Sequence, residues 1–170
     1  MKRVLLLLLI TFTLSCCNNN DDNPQNPLDQ LPPATQTGAN TFGCLINGKP
    51  FVVSNTSNQT AIYQGGVLQI GGGIDNSIMD KRISINISAP INLNTPYDLT
   101  LFPNNLAIFV NNGEGCYYDY DHTTSGTLTI TKFDQTNFII SGTFSFKGKE
   151  INTGETVEIT EGRFDMQYTN

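Results

Sequence analysis

Residues 138–146 read Phe-Ile-Ile-Ser-Gly-Thr-Phe-Ser-Phe. In an extended chain Phe138, Ile140, Gly142, Phe144 and Phe146 share one face, opposite Ser141, Thr143 and Ser145. This period of two marks a strand with one buried and one wet side. The pattern continues both ways. Upstream, Thr127, Thr129 and Thr131 alternate with Leu128 and Ile130. Downstream, Val157 and Ile159, then Phe164, Met166 and Tyr168, predict core positions, with Glu158, Thr160, Arg163 and Asp165 facing water.

Earlier segments read the same way. Thr41 to Ile46 and Lys49 to Val53 flank Asn47-Gly48, the dipeptide suited to a two-residue hairpin turn. Pro50 removes a backbone donor from the second arm and predicts an edge strand. Thr60 to Tyr63 and Val67 to Ile70 flank Gln64-Gly65-Gly66, a second hairpin, and Ile83, Ile85 and Ile87 alternate with Ser84, Asn86 and Ser88. Tyr97 to Phe102, Leu106 to Val110 and Cys116 to Tyr120 are weaker strand candidates. No eleven-residue window carries a helical stripe. Ten or so short strands separated by Gly/Asn turns predict a single all-β domain over residues 41–170, an antiparallel β-sandwich, with a closed meander β-barrel as the alternative.

The chain has 170 residues, room for one ordinary domain, and its ten Phe and six Tyr are enough to fill a core. A net charge of −6, with the basic residues scattered, argues against a nucleic-acid partner, which needs a basic face.

The N-terminus predicts export. Lys2-Arg3 precede an eleven-residue apolar run, Val4 to Leu14, too short for the roughly 20 residues that span a bilayer. Leu14-Ser15-Cys16, preceded by Thr13, resembles the lipobox of bacterial lipoproteins. Residues 1–15 are then a lipoprotein signal peptide and Cys16 the lipidated first residue. Cys17 is the alternative, with Cys16 itself in the small-residue position. An ordinary cleaved signal peptide ending near two cysteines is the bland rival. One acyl chain anchors only marginally, whereas several hold a protein stably on the membrane. The residues after the anchor, Asn18 to Asn40, are rich in Asn, Asp, Pro, Thr and Gln. With little apolar surface to offset ordering entropy, residues 16–40 are expected to form a disordered linker holding the domain on the order of 25 Å from the bilayer. Asp21-Asp22 resembles the acidic signals that carry some Bacteroidetes lipoproteins to the cell surface, or it is merely solvated linker. The expected address is therefore the bacterial outer membrane, on either face.

Three segments carry a wider resemblance. They are Asn40-Thr41-Phe42-Gly43-Cys44-Leu45-Ile46-Asn47-Gly48-Lys49, Ile140-Ser141-Gly142-Thr143-Phe144-Ser145-Phe146 and Val157-Glu158-Ile159-Thr160-Glu161-Gly162-Arg163-Phe164-Asp165. Together they are similar to a group of Bacteroidetes lipoproteins whose shared domain is of unknown function. The resemblance covers the two ends of the domain and implies lipid anchoring and an all-β fold. It brings no catalytic residue.

Cys44 and Cys116 are an even pair in an exported domain, which suggests a disulfide. Closing a loop of about 72 residues is worth roughly 4 kcal/mol in the chain-entropy model. The other reading is two thiols acting as small hydrophobes. The densest polar chemistry is residues 114–122, with the only histidine, His122. Tyr117, Tyr118 and Tyr120 are candidate ligand-binding residues, as anchors for a sugar or a protein partner. Asp119, Asp121 and His122 are weak metal candidates, since the EF-hand spacing fails. A tyrosine-rich strand leading into a solvated loop explains the stretch as well. Gly71-Gly72-Gly73 has no helix after it to make a phosphate loop, and Glu155, Glu158 and Glu161 read as wet-face or turn residues. No cofactor is expected. The composition and motifs favour a non-catalytic lipoprotein whose domain binds a ligand or an envelope partner. A glycan-binding accessory of a surface uptake system is the alternative, and a small hydrolase the third class.

Overall fold

The computed structural model describes residues 26–75, 79–113, 116–120 and 122–170. Among the described residues, eleven strands make two antiparallel sheets. The strands are β1 (Thr41–Ile46), β2 (Lys49–Val52), β3 (Gln59–Gln64), β4 (Val67–Asp75), β5 (Met79–Ile87), β6 (Pro96–Asp98), β7 (Asn105–Gly113), β8 (Cys116–Tyr120), β9 (His122–Asp134), β10 (Ile139–Lys149) and β11 (Thr156–Gln167). One sheet has the order β2-β1-β11-β10-β9-β6 and the other β3-β4-β5-β7-β8. Both sheets have edges, so the molecule is a sandwich and the barrel alternative falls.

Local chemistry explains most elements. Asn47 and Gly48 both have positive φ, 48° and 76°, as the tight β1–β2 turn demands. Pro50 lies on β2, the edge of the six-stranded sheet, where its missing N–H breaks no ladder. Gly65-Gly66 closes the β3–β4 hairpin, with Gln64 opposite Val67. Ile83, Ile85 and Ile87 are buried on β5 and face Phe42, Leu128, Ile140, Phe144, Ile159 and others across one continuous core. The triglycine stretch is part of β4. A Cβ on Gly72 would stand 2.8 Å from the Phe42 ring, so the glycine lets the two sheets approach there.

The sheets cross. The Gln59 end of β3 hydrogen-bonds the backbone beside β1 and β2, at Asn40 and Val53. Its Tyr63 end meets Phe133 of β9, ring centroids 5.0 Å apart. Both contacts lie at the same end of the six-stranded sheet, so β3 runs across the ends of those strands, an orthogonal packing.

Several expectations change. The strand β11 carries a bulge, with Gly43 opposite Arg163 but Leu45 opposite Thr160, and Glu161 at φ 55° takes up the extra length. Glu161 therefore sits inside the strand and not at a turn. The strand expected over Tyr97 to Phe102 shrinks to Pro96–Asp98. Phe138 belongs to the β9–β10 turn and is 45% exposed.

The largest change concerns the linker. Residues 26–40 follow the domain closely. A 3-10 turn over Pro27–Gln30 is capped by Asn26, Leu31 is buried, and Pro32 packs over Gly43. Residues 35–39 then bind Asp165 of β11, and the Lys132 ammonium donates to the Gln36 carbonyl at 2.9 Å. Composition pointed to a solvated chain, but one buried carboxylate supplies enough hydrogen bonds to order this stretch. The part of the expected tether over 16–25 lies outside the described residues.

Candidate functional site

Asp165 and Ser141 were both expected to face water; both are fully buried. The Asp165 carboxylate accepts from Thr35 Oγ1 (2.6 Å), the Thr37, Gly38 and Ala39 N–H groups (2.9, 2.8 and 3.2 Å), Thr37 Oγ1 (3.2 Å) and Ser141 Oγ (2.8 Å). Burial alone would raise its pKa. The donors from Thr35, Thr37, Gly38 and Ser141 outweigh it and hold the carboxyl well below the usual range. With its lone pairs engaged, Asp165 is a clip for residues 35–39 and has little left for proton transfer.

Cys44 is a free, buried thiol on β1, so the expected bridge to Cys116 is not formed. The reason is topological. β1 packs over β4, whereas β8 lies beyond β5 and β7 at the far edge of the other sheet, each step about 4.8 Å. A bridge needs Cα atoms within about 7 Å. Burial pushes the Cys44 thiol up to about 12, which leaves it a small hydrophobe.

The backbones of Cys116, Tyr117, Tyr118, Asp119 and Tyr120 form β8 against β7, and their side chains lie outside the described residues. Cys16, Cys17 and Asp121 lie outside them altogether. His122 opens β9, exposed, opposite Lys149. Among the described residues no three metal-binding side chains come together. Glu158 pairs with Lys147 on the wet face at 3.7 Å.

The most site-like surface is elsewhere. Along β3, two adjoining depressions of about 440 and 490 Å³ share Phe138 and Tyr168. An aromatic cluster backs them: Tyr168 stacks on Phe133 at 5.3 Å, and Phe138 and Tyr63 meet Tyr168 edge-on at 5.6 and 6.4 Å. Around the rings stand side-chain amides, Asn40, Gln59, Asn137 and Gln167 on one side and Gln64 and Gln135 on the other. Several are fixed. Gln59 Nε2 donates to the Asn40 and Val53 carbonyls at 3.0 and 2.9 Å, and the Gln167 N–H donates to Asn40 Oδ1 at 2.9 Å. Each amide has four hydrogen-bonding positions, and these contacts use only some of them. Phe138 holds its place at φ 54°, a conformation costly for a bulky residue and rare outside functional or strained sites. Burial raises the pKa of the Tyr168 phenol, with the Asp134 charge adding to it.

The clipped segment forms part of this surface, because it delivers Asn40, itself at φ 53°, to Gln59 and Gln167. β3 and β8 are opposite edges of the five-stranded sheet, so the groove and the tyrosines of β8 are separate places. None of the groove's aromatics was singled out from sequence for binding. A large ring following the amide-rich turn Gln135-Thr136-Asn137 was the one local signal.

No curated protein and no solved structure matches this chain. A family model does, from the first residue of β1 to near the end of β11, leaving residues 26–40 and Tyr168 outside it. Three quarters of the chain and both sheets fall within that match, and the protein belongs to the family described as Domain of unknown function (DUF6252), matched over residues 41–166.

Proposed function

We propose that this protein is a lipid-anchored component of the bacterial outer membrane whose sandwich domain binds a ligand through the groove along β3, and does so without catalysis. The groove carries the proposal: its walls combine exposed aromatic surface with amides pre-set by hydrogen bonds, the composition of a recognition site. The ionisable groups described nearby have structural duties. Asp165 is bound by the 35–39 segment, and Asp134 accepts from Asn137 and Thr136 in the β9–β10 turn. The anchor rests on Leu14-Ser15-Cys16 at the end of a short apolar run after Lys2-Arg3.

The anchor is tested by labelling cells with an alkyne fatty acid and fractionating membranes for the wild type, Cys16→Ala and Cys17→Ala. Label and membrane retention are expected to disappear with Cys16→Ala and persist with Cys17→Ala. The reverse pattern moves the anchor to Cys17, and retention of label in both variants and in the double variant rejects lipidation.

A further inference from the structure

We infer that the groove along β3 takes a neutral, hydroxyl-rich ligand, an uncharged oligosaccharide. This rests on the groove being the binding site. Among the described residues no acidic or basic side chain lines either depression. An anionic ligand would find no counter-charge there and would approach a protein of net charge −6. A cationic peptide would find no carboxylate side chain in the lining among the described residues: Asp134, in the adjoining turn, is held by Asn137 and Thr136 and lies 3.8 Å from Lys132.

A purely apolar ligand fits no better, because covering amides without giving them partners costs about 1–3 kcal/mol for each unsatisfied group. The ligand must present an apolar face to a ring and hydrogen-bonding groups around it. A pyranose does both, with C–H groups on its faces and hydroxyls at its rim. Phe138 supplies an exposed ring packed edge-on against Tyr168. The Gln59 and Asn40 amides are held in place by their hydrogen bonds, with Gln59 Oε1 left as an acceptor, and Gln167 adds a further amide to the rim. Such preorganisation reduces the entropy lost on binding. The lining follows β3 from Gln59 to Gln64, a strand of about 20 Å at 3.3 Å per residue, a length that suits several sugar units.

The test uses the full-length protein in detergent micelles against immobilised oligosaccharides. One set is neutral (glucose-, mannose-, galactose- and N-acetylglucosamine-based), a second contains uronic acids or sulfates, and a third comprises peptides. Binding to a member of the neutral set is expected, with affinity indifferent to salt because no ion pair forms. Phe138→Gly is expected to weaken it about tenfold by removing the stacking ring. Since glycine relaxes the φ of 54°, the variant should keep its thermal stability, which separates lost recognition from lost fold. Gln167→Ala, at an exposed strand end, is expected to weaken binding in the same direction. Groove-dependent binding confined to charged saccharides or peptides overturns the ligand class and leaves the binding role standing. Neutral binding that ignores both substitutions overturns the site. If no ligand of any set depends on the groove, both readings fail.

Discussion

Asp165 shows how much one side chain can organise. It lies on β11 between Phe164 and Met166, at a position whose alternation assigns it to the wet face, yet its surface is fully covered. The covering chain comes from residues about 130 positions earlier and provides hydroxyl and backbone donors for both carboxylate oxygens. Replacing Asp165 by Asn keeps the shape but puts an N–H₂ group where donors converge. We expect a loss on the order of 3 kcal/mol from hydrogen bonds to a charged acceptor. Hydrogen exchange should then accelerate at Thr37, Gly38 and Ala39 well beyond its change in β5. Unchanged protection of these amides would remove Asp165 from the role of clip. Cys44 makes the opposite point: an even pair of cysteines in a domain expected to be exported invites a disulfide by count alone, but its buried, free thiol on β1 serves packing.

Among the elements, β11 shows how an irregularity is built into a central strand. It lies between β1 and β10, with its bulge at Glu161. The next residue must be glycine for a steric reason. A Cβ on Gly162 would stand 2.5 Å from the Phe144 ring and from the Phe144 carbonyl oxygen. Gly162→Ala should therefore force Phe144 and the β10 backbone apart and destabilise the domain by about 2 kcal/mol, within the usual range for overpacking. A shift of the denaturant midpoint at constant slope is the measurement, and an unchanged midpoint would show that the bulge yields easily. The alternation of β9, β10 and β11 was legible because strand period is local. The bulge was not, because it shows only against β1 and β10 on both sides.

At the scale of the whole molecule, the crossing of the sheets builds the groove. Were β3 aligned with the strands of the larger sheet, Tyr63 would not reach Phe133 while Gln59 reaches Asn40. The pH response is also global. Asp165 lies well below its ordinary value, and Glu150 is lowered to about 2, chiefly by the Thr153 N–H, with the Thr153 hydroxyl and Asn152 adding to it. Both pKa values are depressed on folding, so their stabilisation is complete above the unfolded-chain values near 4. It is lost as pH falls through the folded-state values. Thermal stability should therefore be flat from neutral pH down to about 5 and fall steadily below about 4. The Asp165→Asn variant should show a shallower fall in that window. An equal fall in both proteins would place the acid sensitivity elsewhere.

The all-β class, the β1–β2 and β3–β4 hairpins, the edge position of Pro50 and most of the core were determined by residues close together in the chain. Alternating burial, positive-φ turns and a missing donor are local physical constraints. The linker's order, the burial of Ser141 and Asp165, the free thiol of Cys44 and the groove were decided only by the tertiary structure. Each depends on which distant segments meet: residues 35–39 on Asp165, β1 away from β8, and Tyr63, Phe138 and Tyr168 at the end where one sheet crosses the other. Composition describes how a segment behaves in water, and period describes which way a side chain points. Neither contains the partner that removes the water.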